Sequence, residues 1–382
     1  MVISPNSTSI YKSKSTIFRL ECEGSSIEDF LQNLREIERE LLSLSGTFLW
    51  CSDEIMRKVA DSDLSLETKV HILPTKDSSY FGIFDSKINQ SIVFAELGIK
   101  QPYFQLASIP SENITQNYPN FLEAMCKADS GGGGSRILQV RDIRELDLKV
   151  IENSWFPLLI QEYIFGADIS VELFYKSGNL ILGISSEFQD VLGKFGPSVI
   201  RNFDSSHFEF VKSDLVKIGK HLRIDGWVNA TYKKDFSTSE YFLIEFDARP
   251  NVWHGAFYDL GIDLWHLYMK NDLEFELNFQ YSKQMYEPER LFQSLTQQRD
   301  YVQAFFCLSG QTILDSGIPI TSEFLISHQT RISKLRAIAD RIFPIRRLIL
   351  MFLISIKNGF PLSVRRWIKG SRLRDRLLKI LT

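Results

Sequence analysis

Lys127 stands immediately before a run of small residues that is suited to holding a phosphate. After Ala128 and Asp129, the run comprises Ser130, Gly131, Gly132, Gly133 and Gly134. A lysine ammonium and backbone N–H groups that no Cβ shields can together bind phosphate oxygens. The glycines are not followed by Gly-Lys-Ser/Thr and show no GxGxxG spacing, which argues against a P-loop or a dinucleotide-binding motif. Taken by itself, the run is also compatible with a flexible loop.

Three charged residues alternate along a later segment. Residues 242–250 read FLIEFDARP, and a strand period of two places Glu245, Asp247 and Arg249 on one face. Two carboxylates are sufficient for Mg²⁺, which takes few protein oxygens and completes its shell with phosphate and water. Three charges on one face predict a ligand-binding site. The alternative is a solvated strand face with ion pairs.

An apolar strand ends close to a glycine, with a carboxylate just beyond it. Residues 158–168 read LLIQEYIFGAD, so Gly166 ends the run and Asp168 follows. In isolation this pattern predicts a buried strand and a turn.

These motifs, in this order, resemble the ATP-grasp superfamily of carboxylate-amine and carboxylate-thiol ligases. The resemblance covers about residues 86–255. It implies that the chain after the apolar strand lies along an adenine ring and that Asp168 holds the ribose hydroxyls. The implied adenine-binding residues are Gln161, Glu162, Tyr163 and Ile164.

The same resemblance implies roles for the other motifs. Lys127 and the glycine run would bind the phosphates of ATP, and Glu245 and Asp247 would bind Mg²⁺ or Mn²⁺. Arg249 would meet the transferred phosphate or the substrate carboxylate, which makes Arg249 and Lys127 the implied catalytic residues. Lys87, in the segment Asp85-Ser86-Lys87, resembles a further family lysine that reaches the phosphates; a surface lysine at a helix start is the alternative.

Three positions depart from the family pattern. Thr231 stands where the strand before the metal strand usually carries Asp, Glu or Gln. Asp247 replaces an asparagine, and its charge could compensate for the carboxylate that Thr231 lacks. Gln161 replaces an acidic residue and can still bond the adenine amino group. His254 is the histidine nearest this motif in sequence, either as a substrate contact or as a structural residue.

From the resemblance we expect an ATP-dependent ligase that forms C–N bonds. It would activate a small-molecule carboxylate as an acyl phosphate and join it to an amine, or to a thiol, with release of ADP and phosphate. The alternative is a non-catalytic or regulatory ATP-binding protein of the same fold, motivated by Thr231 and by an N-terminal domain that is shorter than usual.

The elements that must position these residues predict an α+β chain in three parts. Residues 1–109 alternate strands and helices, as in a shortened parallel-sheet domain of α/β type. For residues 110–325 the resemblance implies the ATP-grasp fold, in which two subdomains grip ATP. Residues 326–382 form a basic helical tail. Strands are predicted at 16–20, 47–50, 121–126, 137–140, 156–161, 169–175, 227–233 and 241–246. Helices are predicted at 26–44, 53–60 and 213–221, and a helical stretch is expected from Ile143.

Composition bounds the class and compartment. A chain of 382 residues with 44% hydrophobic content is long enough for more than one packed unit. Its four cysteines lack CxxC spacing, which argues against a zinc site or a disulfide framework and favours a reducing compartment. Met1 is followed by a polar stretch without an apolar core, so we expect no secretory signal and a cytoplasmic location.

The tail carries a charge opposite to that of the remaining chain. Residues 328–382 hold fourteen Lys or Arg against Asp340 and Asp375, although the whole chain has a net charge of -3. Basic residues recur among apolar ones over residues 331–378, and Trp367 lies among them. The longest apolar run, residues 348–356, is too short to cross a bilayer, which takes about 20 residues.

Such a tail is suited to lying in an anionic membrane interface, and the protein would then be peripheral. A partner or oligomer contact and a basic cap on the acidic body are the alternatives. Nucleic acid is not expected, because the tail is as apolar as it is basic.

Deleting residues 331–382 should therefore move the protein from the membrane fraction to the soluble fraction. Each Lys or Arg near an anionic surface contributes about 1 kcal/mol, so the loss should be large. Fractionation of cells that express either form measures the change. Unchanged fractionation would contradict the membrane interpretation.

Overall fold

The computed structural model describes residues 2–3, 19–20, 27–44, 48–50, 52–109, 123–132, 134–146, 151–260, 262 and 281–286. The chain divides into two compact units, Met1–Arg290 and Leu291–Thr382, and every described residue lies in the first. The predicted basic tail lies outside the described residues. Within the described residues, no helix has the length and apolar character needed to span a membrane.

Short parallel strands and five helices make up the N-terminal part. Strands β1 (Val2–Ile3), β2 (Arg19–Leu20) and β3 (Leu49–Trp50) pair in the order β2-β1-β3, all parallel. The helices are α1 (Ile27–Glu36), α2 (Glu38–Ser43), α3 (Asp53–Asp61), α4 (Leu66–Ile72) and α5 (Lys87–Glu96).

Two of these helices bring charged residues to the site, and both begin at a serine cap. Ser52 accepts a hydrogen bond from the N–H of Ile55 at the start of α3, and Ser86 accepts one from the N–H of Asn89 at the start of α5. Such caps satisfy N–H groups that the first helical turn leaves unpaired. Asp53 and Lys87 are therefore each held in the first turn of a helix.

A four-stranded antiparallel sheet follows. It comprises β4 (Phe104–Ala107), β5 (Ala124–Ala128), β6 (Ile137–Val140) and β7 (Leu158–Glu162), in the order β4-β7-β5-β6. Apolar residues of β5 and β7, among them Cys126 and Ile160, pack with Ile143 and Ile151 in a small core of their own. The opposite face of β5 and β7 carries Lys127 and Gln161.

The second sheet has six strands, all antiparallel to their neighbours. They are β8 (Gly166–Lys176), β9 (Asn179–Val191), β10 (Ser198–Asp204), β11 (Gly226–Asp235), β12 (Tyr241–Asp247) and β13 (Ser282–Tyr286), in the order β12-β11-β8-β9-β10-β13. Helix α6 (Ser206–Leu222) packs on this sheet, and a short helix, α7 (Ala256–Asp259), follows β12.

Alternation along the strands gives the six-stranded sheet two different faces. One face carries Ile169 and Val171 of β8 together with Val228 and Ala230 of β11, all fully buried in the main core. Side chains from α3, α5 and α6 pack into the same core, which includes Met56, Phe94 and Leu215. The N-terminal helices and this sheet therefore share one continuous hydrophobic core.

The other face is polar, and hydrogen-bonded register places its residues in rows across the strands. Ser170, Thr231 and Glu245 form one row, and Glu172, Asn229 and Asp247 form the next. Neighbouring strands lie about 5 Å apart, so each row spans roughly 10 Å.

The described elements agree with most of the predicted ones and add others. The strand predicted at 137–140 has those bounds, and the helix predicted at 213–221 is longer, beginning at Ser206. The helical stretch expected from Ile143 is a single 3-10 turn, Ile143–Glu145. Strands β9 and β10 were not predicted. The expected N-terminal strands are described only at their ends.

Gly183 marks the closest approach between β9 and α6. A Cβ built there would lie 2.3 Å from a ring carbon of Phe208, whose side chain is buried. Gly183→Ala should therefore lower the free energy of unfolding by about 1 to 3 kcal/mol, because the ring has to shift in a packed core. The midpoint and slope of urea unfolding measure this change.

Gly132→Ala is the matched control, because a Cβ there meets nothing within 4 Å. It should change stability by less than about 0.5 kcal/mol. Equal effects of the two substitutions would contradict the packing described at Gly183.

Candidate active site

A cavity of about 570 Å³ lies within the first unit, between the four-stranded and the six-stranded sheet. Ligand pockets are usually between about 300 and 1,000 Å³. Most of the residues singled out in the sequence line this cavity: Lys87, Lys127, Gly131, Gly132, Gly134, Gln161, Glu162, Tyr163, Ile164, Asp168, Glu245, Asp247 and Arg249. Ser130 is not among its lining residues, and Gly133 lies outside the described residues. Residues as far apart in the sequence as Lys87 and Arg249 thus meet at one place.

The glycine run is fastened to the start of α5. The carboxylate of Asp129 accepts hydrogen bonds from the Ser86 hydroxyl and from the N–H of Ile88, both at 2.9 Å. The Lys87 ammonium donates to the carbonyl of Gly131. Asp85 accepts from the N–H of Gly131 at 3.2 Å. Lys87 is thereby held beside the glycine loop.

Gly134 is required by a close contact with the hairpin between β9 and β10. Its φ is +78°, and a Cβ built there would lie 2.1 Å from the carbonyl oxygen of Phe195. No other residue type fits this position without moving one of the two loops. The glycine loop and the β9–β10 hairpin therefore form adjoining parts of the cavity wall.

Lys127 is a buried cation at the centre of the site. Only 8% of it is exposed, and no hydrogen bond or ion pair of its ammonium is found among the described residues. Burial lowers the pKa of Lys127 to about 8, with the nearby carboxylate of Glu245 opposing the shift and the charge of Lys87 adding to it. An anion placed here would stabilise the charged form.

Residues 163–165 join β7 to β8 and form the hinge between the four-stranded and six-stranded sheets. The end of β7 beside this hinge presents an unsatisfied acceptor. Gln161 is 2% exposed, lines the cavity, and its Oε1 has no hydrogen-bond partner among the described residues. A buried polar atom without a partner is costly, and a ligand donor at this point would remove that cost. Tyr163 is fixed by donating its N–H to the carbonyl of Glu123 at 2.9 Å.

Asp168 follows the hinge and is paired with Lys233. Their charged groups lie 2.9 Å apart, and the Lys233 ammonium also donates to the carbonyl of Gly166 at 3.2 Å. Both side chains line the cavity and are largely buried. The Asp168 carboxylate is thus held at the hinge, where it can accept further hydrogen bonds.

Carboxylates gather at the end of β12, and Arg249 lies among them. Its guanidinium donates to Asp53 of α3 through Nε and to Asp247 through Nη2, the latter at 3.2 Å. Burial, together with the charges of Glu245 and Asp53, raises the pKa of Asp247 well above its usual range. Burial also raises the pKa of Asp53. The site is therefore poised to accept additional positive charge.

The structure bears on the metal prediction in two further ways. Thr231, at the position where a carboxylate was expected from the resemblance, lies directly opposite Glu245 in the register of β11 and β12. Among the described residues, no group of three or more His, Cys, Asp or Glu side chains is gathered closely enough to hold a metal ion. The assignment of Glu245 and Asp247 as ligands stays a prediction.

A second buried charge cluster lies on the polar face of the sheet. The Oε1 atom of Glu172 accepts from Arg201 at 2.7 Å, Ser170 at 2.9 Å, Asn229 at 3.0 Å and Asn251 at 3.4 Å. Glu172 is fully buried and Arg201 is 4% exposed. Arg201, Asn229 and Asn251 line the same cavity as the residues singled out in the sequence.

His254 has a structural position. Its Nδ1 accepts the N–H of Asn251 at 3.0 Å, so its Nε2 donates to the carbonyl of Val228 at 3.1 Å. It is not among the lining residues of the cavity. The sequence left two roles open for His254, a substrate contact and a structural residue. These contacts agree with the structural role.

Several lining residues were not found by sequence reasoning. Asp53 and Arg201 reach the site through contacts with partners far away in the sequence, and no local pattern marks them. Lys233 could have been found, because a period of two along β11 places it on the same face as Asn229 and Thr231.

Neither a protein-family profile nor a curated protein sequence matches this chain. Solved structures do match. The biotin carboxylase domain of the Hydrogenobacter thermophilus 2-oxoglutarate carboxylase, crystallised with MgADP, ADP and bicarbonate, is 15% identical with a TM-score of 0.50, and the match covers 69% of this chain and 61% of that one.

Two further matches have lower scores. An L-amino acid ligase from Bacillus licheniformis is 14% identical (65% of this chain, 61% of that one, TM-score 0.48), and a biotin carboxylase from Campylobacter jejuni is 16% identical (69% and 62%, TM-score 0.47). All three are ATP-grasp enzymes. This chain spans about three fifths of the length of each. Because the identity is only 15%, the first match shows the fold alone. Part of this chain has an ATP-grasp-like fold.

The burial of His254 predicts a pH dependence of stability. Burial lowers the pKa of His254 to about 4 in the folded protein, whereas the unfolded value is near 6.5. Between these values the unfolded chain binds a proton that the folded chain does not, so stability falls as the pH falls. The contribution at pH 5 is a loss of about 2 kcal/mol.

Urea unfolding at pH 7 and pH 5 of the wild type and of His254→Gln measures this loss. The variant should lose less stability than the wild type over that interval, whatever its stability at pH 7. His221→Gln, at an exposed histidine, is the control and should keep the wild-type slope. Equal slopes for all three proteins would contradict the assignment.

Proposed function

We propose that this chain, which has an ATP-grasp-like fold, binds Mg-ATP and uses it to ligate a carboxylate to an amine. One observation carries the proposal. Two lysines, a glycine loop, a hinge with an unsatisfied acceptor, and a carboxylate–arginine group from distant parts of the sequence line one cavity. This is the combination of groups that a nucleoside triphosphate needs.

The residues present fit a nucleotide. The unpaired Oε1 of Gln161 would accept a hydrogen bond from the adenine amino group, and Asp168 would accept those of the ribose hydroxyls. Lys87 and Lys127, with the backbone of the glycine loop, would hold the phosphates. The fit at Lys127 follows from its burial, because an anionic phosphate would stabilise the charged form that burial disfavours.

The residues also fit Mg²⁺ bound together with phosphates. Glu245 and Asp247 would hold it, and bound Mg²⁺ would neutralise phosphate charge and orient the reacting oxygens. The raised pKa of Asp247 fits this assignment, because a cation favours the ionised carboxylate. Arg249, fixed by Asp53 and Asp247, would be left facing the transferred group.

The proposed reaction has two displacements. An oxygen of the substrate carboxylate attacks the γ-phosphorus of ATP, the bond to the bridging oxygen breaks, and ADP leaves. The amine nitrogen then attacks the carbonyl carbon of the acyl phosphate, the C–N bond forms as the C–O bond to phosphate breaks, and phosphate and one proton are released. Lys127 and Arg249 stabilise negative charge, and the glycine loop excludes water.

A second candidate function is ATP binding without ligation. It is favoured by Thr231, which lies opposite Glu245 where a further metal ligand was expected. One fewer carboxylate near the metal would weaken the second of two Mg²⁺ ions that bridge phosphates.

Incubating the purified protein with Mg-ATP and pooled metabolites, followed by mass analysis, tests the two candidates together. A ligase should yield ADP and a condensed product. Lys127→Ala and Glu245→Ala should each lower the rate of product formation by about 10² to 10³-fold, because each removes a charge that stabilises the transition state. A product that survives both changes would refute these assignments.

Lys220→Ala and Glu209→Ala are matched controls, since both residues are exposed on α6 and neither lines the cavity. They should leave ATP binding and product formation unchanged. ATP binding by equilibrium dialysis without any ADP, over a broad panel of acids and amines, would favour the non-catalytic candidate.

A further inference from the structure

The β9–β10 hairpin and the polar face beside it form a part of the cavity that the proposed nucleotide and metal residues do not use. Its lining residues are Phe188, Val191, Lys194, Phe195, Pro197 and Arg201. The charged ones are both cationic. By contrast, the β12 end of the cavity is lined by Glu245, Asp247 and Arg249, with Asp53 beside them. The cavity therefore has a second region, which is lined by two cationic side chains and by apolar ones.

Arg201 is held rigidly in this region. Its Nε donates to Ser198 at 2.7 Å, and its Nη1 donates to Glu172 at 2.7 Å. The rings of Phe188 and Trp253 lie 4.5 and 4.7 Å from its guanidinium carbon. Cation–π contacts together with charged hydrogen bonds fix the position of a guanidinium.

Burying the Glu172–Arg201 ion pair costs free energy of desolvation. Desolvation of a buried pair often exceeds the Coulombic gain, and apolar replacements of similar volume are frequently as stable. Here the pair lies on the polar face of the sheet and not in the main core, and Arg201 lines the cavity. A buried arginine that faces a ligand cavity is suited to binding a carboxylate.

The distance from this arginine to the proposed reaction centre is short. Arg201 forms an ion pair with Glu172. Glu172, Asn229 and Asp247 lie in one row across three neighbouring strands, so Glu172 and Asp247 are two strand spacings apart, roughly 10 Å. Asn251 bridges the two places, because its side chain donates to Glu172 and it lies two residues beyond Arg249. One carboxylate can be held at Arg249 and another at Arg201.

We propose that the Arg201 region binds the carboxylate of the amine substrate, which makes that substrate an amino acid. Its amino group would point toward the carboxylate activated at Arg249, and an apolar side chain would pack on Val191, Phe195 and Pro197 of the hairpin. The product is an amide that keeps a free carboxylate. This inference rests on the proposed ligation.

The test measures binding to the full chain saturated with Mg²⁺ and a non-hydrolysable ATP analogue. Leucine and phenylalanine are compared by calorimetry with the amines that lack the carboxylate, 3-methylbutylamine and 2-phenylethylamine. We expect the amino acids to bind about 10- to 100-fold more tightly, as one charge-assisted hydrogen-bonded contact predicts. Equal binding of acid and amine, or no binding of either, overturns the inference.

A double variant, Arg201→Met with Glu172→Gln, tests the residue. Changing both partners avoids leaving Glu172 buried without its counter-charge, which would threaten folding. The preference for amino acids should disappear in this variant. If the preference persists, another group recognises the carboxylate and the assignment to Arg201 is wrong.

The control is the exposed pair Arg57 and Asp61 on α3, changed to Met and Asn, which should keep the preference. Binding of the ATP analogue is measured separately in every protein. Absence of that binding contradicts the proposed function, whereas analogue binding without discrimination between acid and amine contradicts only this inference.

Discussion

The charges that the six-stranded sheet brings to the candidate site depend on the alternation of side chains along β8, β11 and β12. In β8 and β11 one set of residues enters the core shared with the helices, and the other set lies on the polar face. In β12 a bulge at Ile244 interrupts the alternation, because Thr231 pairs with Glu245 and Tyr232 with Leu243. A register shift of one residue would place Glu172 and Asn229 in the core and Val171 and Val228 in the cavity. The apolar face thus specifies the positions of the charges, although it takes no part in chemistry.

The charges on the polar face are arranged in pairs that share few partners. Glu172 is paired with Arg201, Asp168 with Lys233, and Asp53 and Asp247 with Arg249. The pairs Glu172–Arg201, Asp168–Lys233 and Asp53–Arg249 each join distant parts of the chain, whereas Asp247 and Arg249 lie two positions apart at the end of β12. Lys127 differs, because its ammonium has no such partner among the described residues. This buried cation lies beside the glycine loop.

The sequence predicts the site best where function is local. A period of two along residues 242–250 is enough to align Glu245, Asp247 and Arg249, and Lys127 and the glycines are adjacent in the chain. Partners far apart could not be predicted: Asp53 and Arg249 are separated by 196 positions. Strands β9 and β10 were missed for a different reason. Each contains a run of consecutive buried residues, five in β9 and four in β10, and these runs follow no period of two.

The contact of Asp53 with Arg249 also affects how the protein can be divided. Asp53 belongs to a helix near the N-terminus, and Met56 and Val59 of the same helix pack in the core under the six-stranded sheet. A fragment that begins after this helix would keep the hinge and the glycine loop. It would expose apolar surface and would leave Arg249 with one carboxylate fewer. The N-terminal helices and the two sheets that line the cavity are therefore not separable modules. Insertions or fusions are better tolerated at the exposed turn between β11 and β12.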